Sequence, residues 1–449
     1  MTSHRKIDVQ EFINAHKMSA TQWVTLLMCF LIVAVDGFDT AAIGFIAPAI
    51  RAEWGLTPAS LAPLFGAGLA GLMIGALVFG PLADRFGRKR ILMLCVGFFG
   101  AACLASAYST SLDMLVALRF LTGLGLGGAM PNSVTLSSEY SPEKHRSALV
   151  TTMFCGFTLG SALGGVLAAH IVADFGWRAV LVVGGVLPIL LVPVLARVLP
   201  ESVRYLVVSG ARLDQVKRVL QRIAPSQDLS QATFAAPEKA QAGFPVTHLF
   251  DANLRRGTLL LWLTFFMSLL VIYLLSSWLP TLISSAGMSL KEASLVTAMF
   301  QVGGTVGAIS LGQLMDRFNP QRVLGLTYTL AAVFTALIGM STGNTVMLVV
   351  AVAGAGFCVS GAQVGANALS AAFYPTATRA TGVSWASGIG RIGSVLGSMA
   401  GGWMLSLGWG LPVVFALVGI PAVIAGMSML AMGRSERLQQ GALRLQAGH

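Results

Sequence analysis

Two aspartates, Asp36 and Asp39, stand three residues apart within LIVAVDGFDTAAIGFI, among the most apolar runs of the chain. A carboxylate at membrane depth costs roughly 2.5–3.5 kcal/mol on insertion scales, so it faces a polar interior and marks a site. The i, i+3 spacing puts both on one helical face, and Gly37 between them leaves room for a partner helix or a ligand. Two carboxyls in such a place can take up and release a proton, titrating as a pair rather than singly. A second reading has them hydrogen-bonding neighbouring helices and fixing their packing. Two cations also fall inside apolar runs. Arg391, in SGIGRIGSVLG, carries a guanidinium that can take a carboxylate bidentately or serve an internal ion pair. Arg119, in RFLTGLGLGGAMPN, is followed on its own face by Gly123 and Gly127.

These charges need elements that span a bilayer. The chain of 449 residues is 55% hydrophobic and only 10% charged, with a mean hydropathy of +0.77. That is far from a soluble domain, in which about a quarter of residues are charged. With about 20 apolar residues needed per crossing helix, twelve spans are expected. Six lie near 22–48, 60–81, 91–109, 113–137, 147–171 and 178–197. Six more lie near 257–283, 292–314, 322–341, 345–371, 380–406 and 410–431. The polar first 20 residues read as no cleavable leader, so the first apolar run reads as a retained span. The net charge of +11 distributes unevenly. With the N-terminus inside, 24 of the 29 Lys and Arg fall on inner segments, three on outer ones and two within spans. This places both termini and the long polar segment on the cytoplasmic side and makes a nucleic-acid partner unnecessary. The five cysteines all lie in apolar runs and read as small packing residues, with no disulfide or metal site expected.

The chain also repeats itself. LADRFGRKRIL (82–92) aligns with LMDRFNPQRVL (314–324), with six identities in eleven, and GSALG (160–164) with GSVLG (393–397). The stretch from Tyr140 to Arg146 resembles Tyr374 to Arg379 at a similar offset. A duplicated six-helix unit follows: an N-terminal half over 1–199, a central loop over 200–256 and a C-terminal half over 257–449. Duplicated halves favour a carrier with its substrate at the midplane. At the repeat offset Arg391 faces Thr158, so this charge belongs to one half only.

GPLADRFGRKR lies between spans two and three. Gly80 permits close helix packing, and Asp84 with Arg85 and Arg88 can form an ion-pair latch at the inner helix ends, made in one conformation and broken in another. Glu139 and Arg146 join it, Glu139 pairing with Arg85 or Arg146, and Asp316 and Arg317 form its weaker copy. The alternative is a plain positive-inside anchor. Gly123, Gly125 and Gly128 satisfy the dinucleotide spacing G-x-G-x-x-G, but that motif works only between a strand and a helix. Inside a span, glycines allow helix contact.

GPLADRFGRKR, its copy GQLMDRFNPQR, the twelve spans, the long central loop, RFLTGLGLGG and PESVRYL together resemble the major facilitator superfamily. DGFDTAAIGFIAPAI is similar to the first helix of its aromatic acid/proton symporter family. IDVQEFIN, LRFLTGLGLG, TTMFCGF and YPTATRATGVSW resemble the 4-hydroxybenzoate/protocatechuate transporters in particular. The resemblance implies an all-α polytopic membrane protein with twelve transmembrane helices in two pseudo-symmetric six-helix halves, in a bacterial-type inner membrane. It implies import of an aromatic carboxylate with protons, by a monomer, with no cofactor. It makes Arg119 a coupling partner of Asp36 and Asp39, with substrate contact or a structural role as alternatives. A flat aromatic anion needs an apolar cradle and a few polar contacts. Phe38, Tyr273 and Trp385, with Trp262 and Phe265, are candidates for the first, and Gln301, Gln363 and Asn367 for the second. A proton antiporter exporting acids or drugs is the rival, but the Gly-Pro signature of such antiporters is absent from GFTLGSALGGV in span five. A receptor would need a signalling domain larger than the central loop, and an enzyme would need a nucleophile–base pair or metal cluster that the sequence does not display.

Overall fold

A computed structural model of the chain describes all residues except 1–4, 210–212, 226, 228, 230–231, 236–246, 252–253, 342, 375–378 and 448–449. The PEKAQ stretch of the central loop, and most of the YPTAT segment shared with the Tyr140 repeat, therefore lie outside the described residues. Long helices dominate. They are α2 (Ala20–Trp54), α3 (Ala62–Phe86), α4 (Arg88–Ser106), α5 (Leu112–Glu139), α6 (Arg146–Phe175) and α7 (Trp177–Val198). After the central loop come α10 (Arg255–Ser285), α11 (Leu290–Arg317), α12 (Pro320–Met340), α13 (Thr345–Gly356), α14 (Ala362–Phe373), α15 (Arg379–Ser406) and α16 (Leu411–Ala447). One π-helical turn, Phe357–Gly361, joins α13 to α14, so the pair forms a single span.

Among the described residues eleven such helices are long and apolar enough to cross a membrane. The twelfth is α15, whose 28 residues match the length of α11 but carry many glycines and serines and Arg391. The twelve expected spans are thus helices, most of them longer than hydropathy drew them. The 35 residues of α2 rise about 52 Å at 1.5 Å each, against about 30 Å of hydrocarbon. Polar helix ends continue past the lipid, which a hydropathy window does not register.

The chain divides into two compact units. The first comprises Met1–Thr40, Ala70–Ser161 and Arg178–Ala240, and the second Ala41–Leu69, Ala162–Trp177 and Gln241–His449. In the first unit Cys29, Ile32 and Val33 of α2 share a core with Cys95 and Phe99 of α4, Leu126 and Ala129 of α5, and Leu195 of α7. Close backbone approach makes that core possible. A Cβ at Gly37 would land on the Phe157 carbonyl of α6, and one at Gly160 on that of Ala34. Gly125 and Gly128 of α5 receive Phe99 and Cys95 of α4, while Gly127 meets the α3 backbone at Leu72. The dinucleotide-like glycines are therefore helix contacts within α5. Gly80 departs from expectation: a Cβ there would meet nothing within 4 Å, so helix packing is not what this glycine provides.

The described parts of the polar segments form elements of their own. Residues Arg5–Asp8 form β1, which pairs in parallel with β2 (Ala232–Ala235) in register Ile7↔Phe234. Asp8 then caps α1 (Val9–Ala15), its Oδ1 accepting from the Gln10 and Glu11 amides at 2.7 and 3.1 Å. α8 (Val203–Val208) and α9 (Leu213–Ile223) follow span six, and α9 buries Val216, Leu220 and Ile223 in the core of the first unit.

In the second unit α15 lies against α10. A Cβ at Gly393 or Gly397 would collide with the carbonyl of Phe266 or Leu270, and the Trp278 indole donates to Ser398 O at 2.6 Å. These glycines let α15 lie close against α10. Residues of α2 belonging to this unit pack similarly, Gly44 on the Ser276 carbonyl and Phe45 beside Gly165.

Candidate functional site

Asp39 is fully buried in α2, and Arg119 of α5 grips it with both arms. Nη1 donates to Oδ1 at 3.0 Å and Nη2 to Oδ2 at 2.7 Å, and Nη2 reaches the Asp39 carbonyl at 3.3 Å. The fork is the bidentate geometry for which guanidinium and carboxylate are matched. Arg119 is itself only 3% exposed, so the charges offset one another away from water. One turn back, Asp36 is equally buried and accepts from Thr40 Oγ1 at 3.1 Å. Between them Ser161 of α6 donates to the Gly37 carbonyl at 2.8 Å, so the gap at Gly37 is filled by a helix.

Sequence reasoning missed one member of this site. The Cys103 thiol of α4, wholly buried, donates to Asp39 Oδ1 at 2.9 Å. It was expected to be a small packing residue, and nothing in its apolar run marks it otherwise; only the approach of α4 to α2 does. Phe38, expected to cradle a ring, is buried too, and a Cβ on Gly184 of α7 would meet both its ring and the Cys103 thiol at 3.2 Å.

In the second unit, Arg391 is half-buried in α15, and no acidic side chain among the described residues pairs with it. The site contacts expected around it are only partly gathered. Trp385 stands six residues earlier, about 120° away around the helix. It stacks on Trp262 at 5.8 Å with ring planes 18° apart, and Phe250 meets Trp262 edge-on. Trp385 therefore does not share the Arg391 face. Tyr273 lies eleven residues beyond Trp262 on the same face of α10, half-buried, while Phe265 is fully buried. Gln363 donates to Asn367 at 3.3 Å and accepts from Ser268 of α10. Asn367 ends this chain exposed, and Gln301 is buried separately in α11.

Ion pairs form at the expected helix ends in the first unit, with a different partner than expected. Arg88, at the start of α4, reaches Asp84 Oδ1 at 3.2 Å and Glu139 Oε1 at 3.1 Å. Glu139 pairs neither with Arg85 nor with Arg146. Arg85 ends α3 with its guanidinium 5.3 Å from the Phe86 ring centre, and Arg146 lines a cavity of about 440 Å³ with Glu139, Glu143 and Arg204. The PESVRYL segment joins these contacts. Ser202 Oγ donates to Glu139 Oε2 at 2.5 Å, Glu201 Oε1 accepts from the Lys89 amide at 2.9 Å, and Tyr140 donates to Glu201 O at 2.6 Å. Burial pushes the Tyr140 hydroxyl well above the ordinary phenol range, so it stays a donor. In the repeat copy Asp316 and Arg317 are exposed, without an ion pair among the described residues, and Asn319 caps α12 instead.

A bundle of long, lipid-length helices with a buried bidentate ion pair among them is the make-up of a multi-pass membrane protein. The signature described as Major Facilitator Superfamily matches residues 29–292 and again 261–446. The chain belongs to that superfamily. Over 430 residues it is 51% identical to a 4-hydroxybenzoate transporter of Pseudomonas aeruginosa, covering 95% of this chain and 96% of that one. It is 46% identical to a gallate transporter of Pseudomonas putida over 429 residues, 96% of either chain. Among solved structures, the inward-open xylose transporter of Escherichia coli superimposes with a TM-score of 0.72 at 19% identity, covering 91% of this chain and 96% of that one, which shows the shared fold.

Proposed function

We propose that this protein imports aromatic carboxylates of the 4-hydroxybenzoate/protocatechuate type by proton symport through alternating access. The relatives named for 4-hydroxybenzoate and gallate support the substrate class. The buried Asp39–Arg119 pair carries the coupling. A proton on Asp39 removes the charge that holds Arg119, freeing the guanidinium and allowing the helices around it to move. Asp36 acts with Asp39 as the pair that handles the proton. Arg391 takes the substrate carboxylate, supported by its half-buried position without an acidic partner among the described residues. Gln363 and Asn367 contact ring hydroxyls and Tyr273 supplies apolar contact, whereas Phe38, Gln301 and Trp385, buried or turned elsewhere, take no part. The halves 1–199 and 257–449 rock as bodies joined by the loop 200–256. The latch of Asp84, Arg85, Arg88, Glu139 and Arg146, near Gly80, with Asp316 and Arg317 in the copy, opens and closes the inner side. The protein works as a monomer in a bacterial inner membrane with both termini cytoplasmic.

Uptake of labelled 4-hydroxybenzoate into proteoliposomes under an imposed pH gradient tests this. Accumulation with an inward proton gradient is expected, and extrusion instead would establish an exporter. Asp39→Asn should lose gradient-driven accumulation. Gradient-driven uptake at the wild-type rate by Asp36→Asn or Asp39→Asn would sink the proton assignment.

A further inference from the structure

Cys103 is the member of the buried charge site that the proton cycle above leaves without a task. Its Sγ lies 2.9 Å from Asp39 Oδ1 and 3.4 Å from the Leu181 carbonyl of α7. A thiol carries a single proton, so it serves one of these acceptors at a time. Each element packed on the site contributes differently. α5 brings the cation Arg119, and α2 itself brings Asp36 one turn away. α6 brings Ser161, and α7 brings Leu181 and Gly184, none of them titratable. Cys103 is thus the donor to Asp39 that carries no charge.

We propose that Cys103 is a positioning residue for the proton step, its S–H held on Asp39 Oδ1 while that group is an anion and turning to the Leu181 carbonyl once Asp39 is protonated. This rests on Asp39 as the proton carrier. Arg119 already occupies both carboxylate oxygens, so the thiol adds a third donor to the carboxylate, the second on Oδ1, holding it in the plane of the guanidinium fork. When the proton arrives and Arg119 lets go, the thiol has an acceptor within reach on another helix and is not stranded in a buried site. A thiol is a weaker donor than a hydroxyl, so it steadies the anion without making the proton hard to add.

A donor series separates this role from packing. Serine keeps a stronger donor, alanine removes it, and valine fills the volume without it. The external pH at which uptake of labelled 4-hydroxybenzoate falls to half should rise in the order Cys103→Ser, wild type, Cys103→Ala, by about half a unit per step. Cys103→Val should follow Cys103→Ala, which keeps the comparison available if alanine fails to insert. Serine and alanine moving together, or neither moving the midpoint, overturns the proposal, because a gap left by lost volume is nearly the same in both. The S–H infrared band, isolated by subtracting the Cys103→Ala spectrum, tests the bond without transport. It should shift to higher frequency in Asp39→Asn, where the acceptor loses its charge, and an unmoved band overturns the proposal. Wild-type gradient-driven uptake by Asp39→Asn with the band still shifting would instead locate the failure in the proton assignment while the bond stands; the task given to Cys103 then falls with that assignment.

Discussion

Replacing Arg119 with glutamine strands the Asp39 carboxylate where neither water nor another cation among its described partners reaches it. Two charge-assisted hydrogen bonds, at 3.0 and 2.7 Å, disappear, along with a weaker one to the backbone at 3.3 Å. Hydrogen bonds to charged groups are worth about 1.5–3 kcal/mol each, and breaking a buried pair from one side costs about 3–5 kcal/mol. Arg119→Gln should therefore lower stability by about 3–5 kcal/mol. Asp39→Asn should cost a similar amount by leaving the guanidinium buried and unpaired. The double variant Asp39→Asn/Arg119→Gln buries no charge and should be far less unstable than the two costs added, with a coupling energy of about 3 kcal/mol. Thermal melting of the purified protein in detergent, run for all four members of the cycle, measures this. Costs that add to within about 0.5 kcal/mol would refute the reasoning, since groups that do not depend on each other add in that way. The double variant should still fail to accumulate substrate against a gradient, which separates restored folding from restored coupling.

Arg391→Lys should raise KM for 4-hydroxybenzoate uptake about tenfold and Arg391→Ala about a hundredfold, because a bidentate grip becomes a point charge and then nothing; initial-rate kinetics check it. Gly37→Ala should destabilise the protein by about 1–3 kcal/mol, since the new methyl would land on the Phe157 carbonyl; melting or expression yield reads this out. Arg88→Gln should slow transport more than Arg85→Gln, because Arg88 bridges Asp84 and Glu139 whereas Arg85 rests over Phe86; uptake rates at matched expression compare them.

Much of the fold was legible because lipid imposes a simple rule. A span must be long, apolar and helical, so runs around Asp36 or Arg119 announce helices whatever their neighbours. The Asp39–Arg119 pair was also within reach, since two opposite charges at similar depth in apolar runs have few other partners. The interruption of span ten by a π turn at Phe357–Gly361 was not, because no residue there breaks the apolar pattern. α9 was legible but passed over: Val216, Leu220 and Ile223 keep a helical spacing within an otherwise charged segment. The pairing of β1 with β2 joins strands at opposite ends of the first unit's sequence, and four-residue strands carry too little pattern to announce their partners.

The amino-acid sequence alone determined that this chain is a bundle of twelve spans, where its rare membrane-depth charges lie, and which superfamily it resembles. Those are properties of composition and order along the chain. Tertiary structure decided which charges meet. Arg88 rather than Arg85 or Arg146 reached Glu139, because α4 begins beside the end of α5. Trp385 stacked on Trp262, because the glycines of α15 bring that helix close against α10. And Cys103, indistinguishable in sequence from its buried neighbours, became a donor to Asp39, because hydrogen bonds are set by distances of about 3 Å that only packed helices establish.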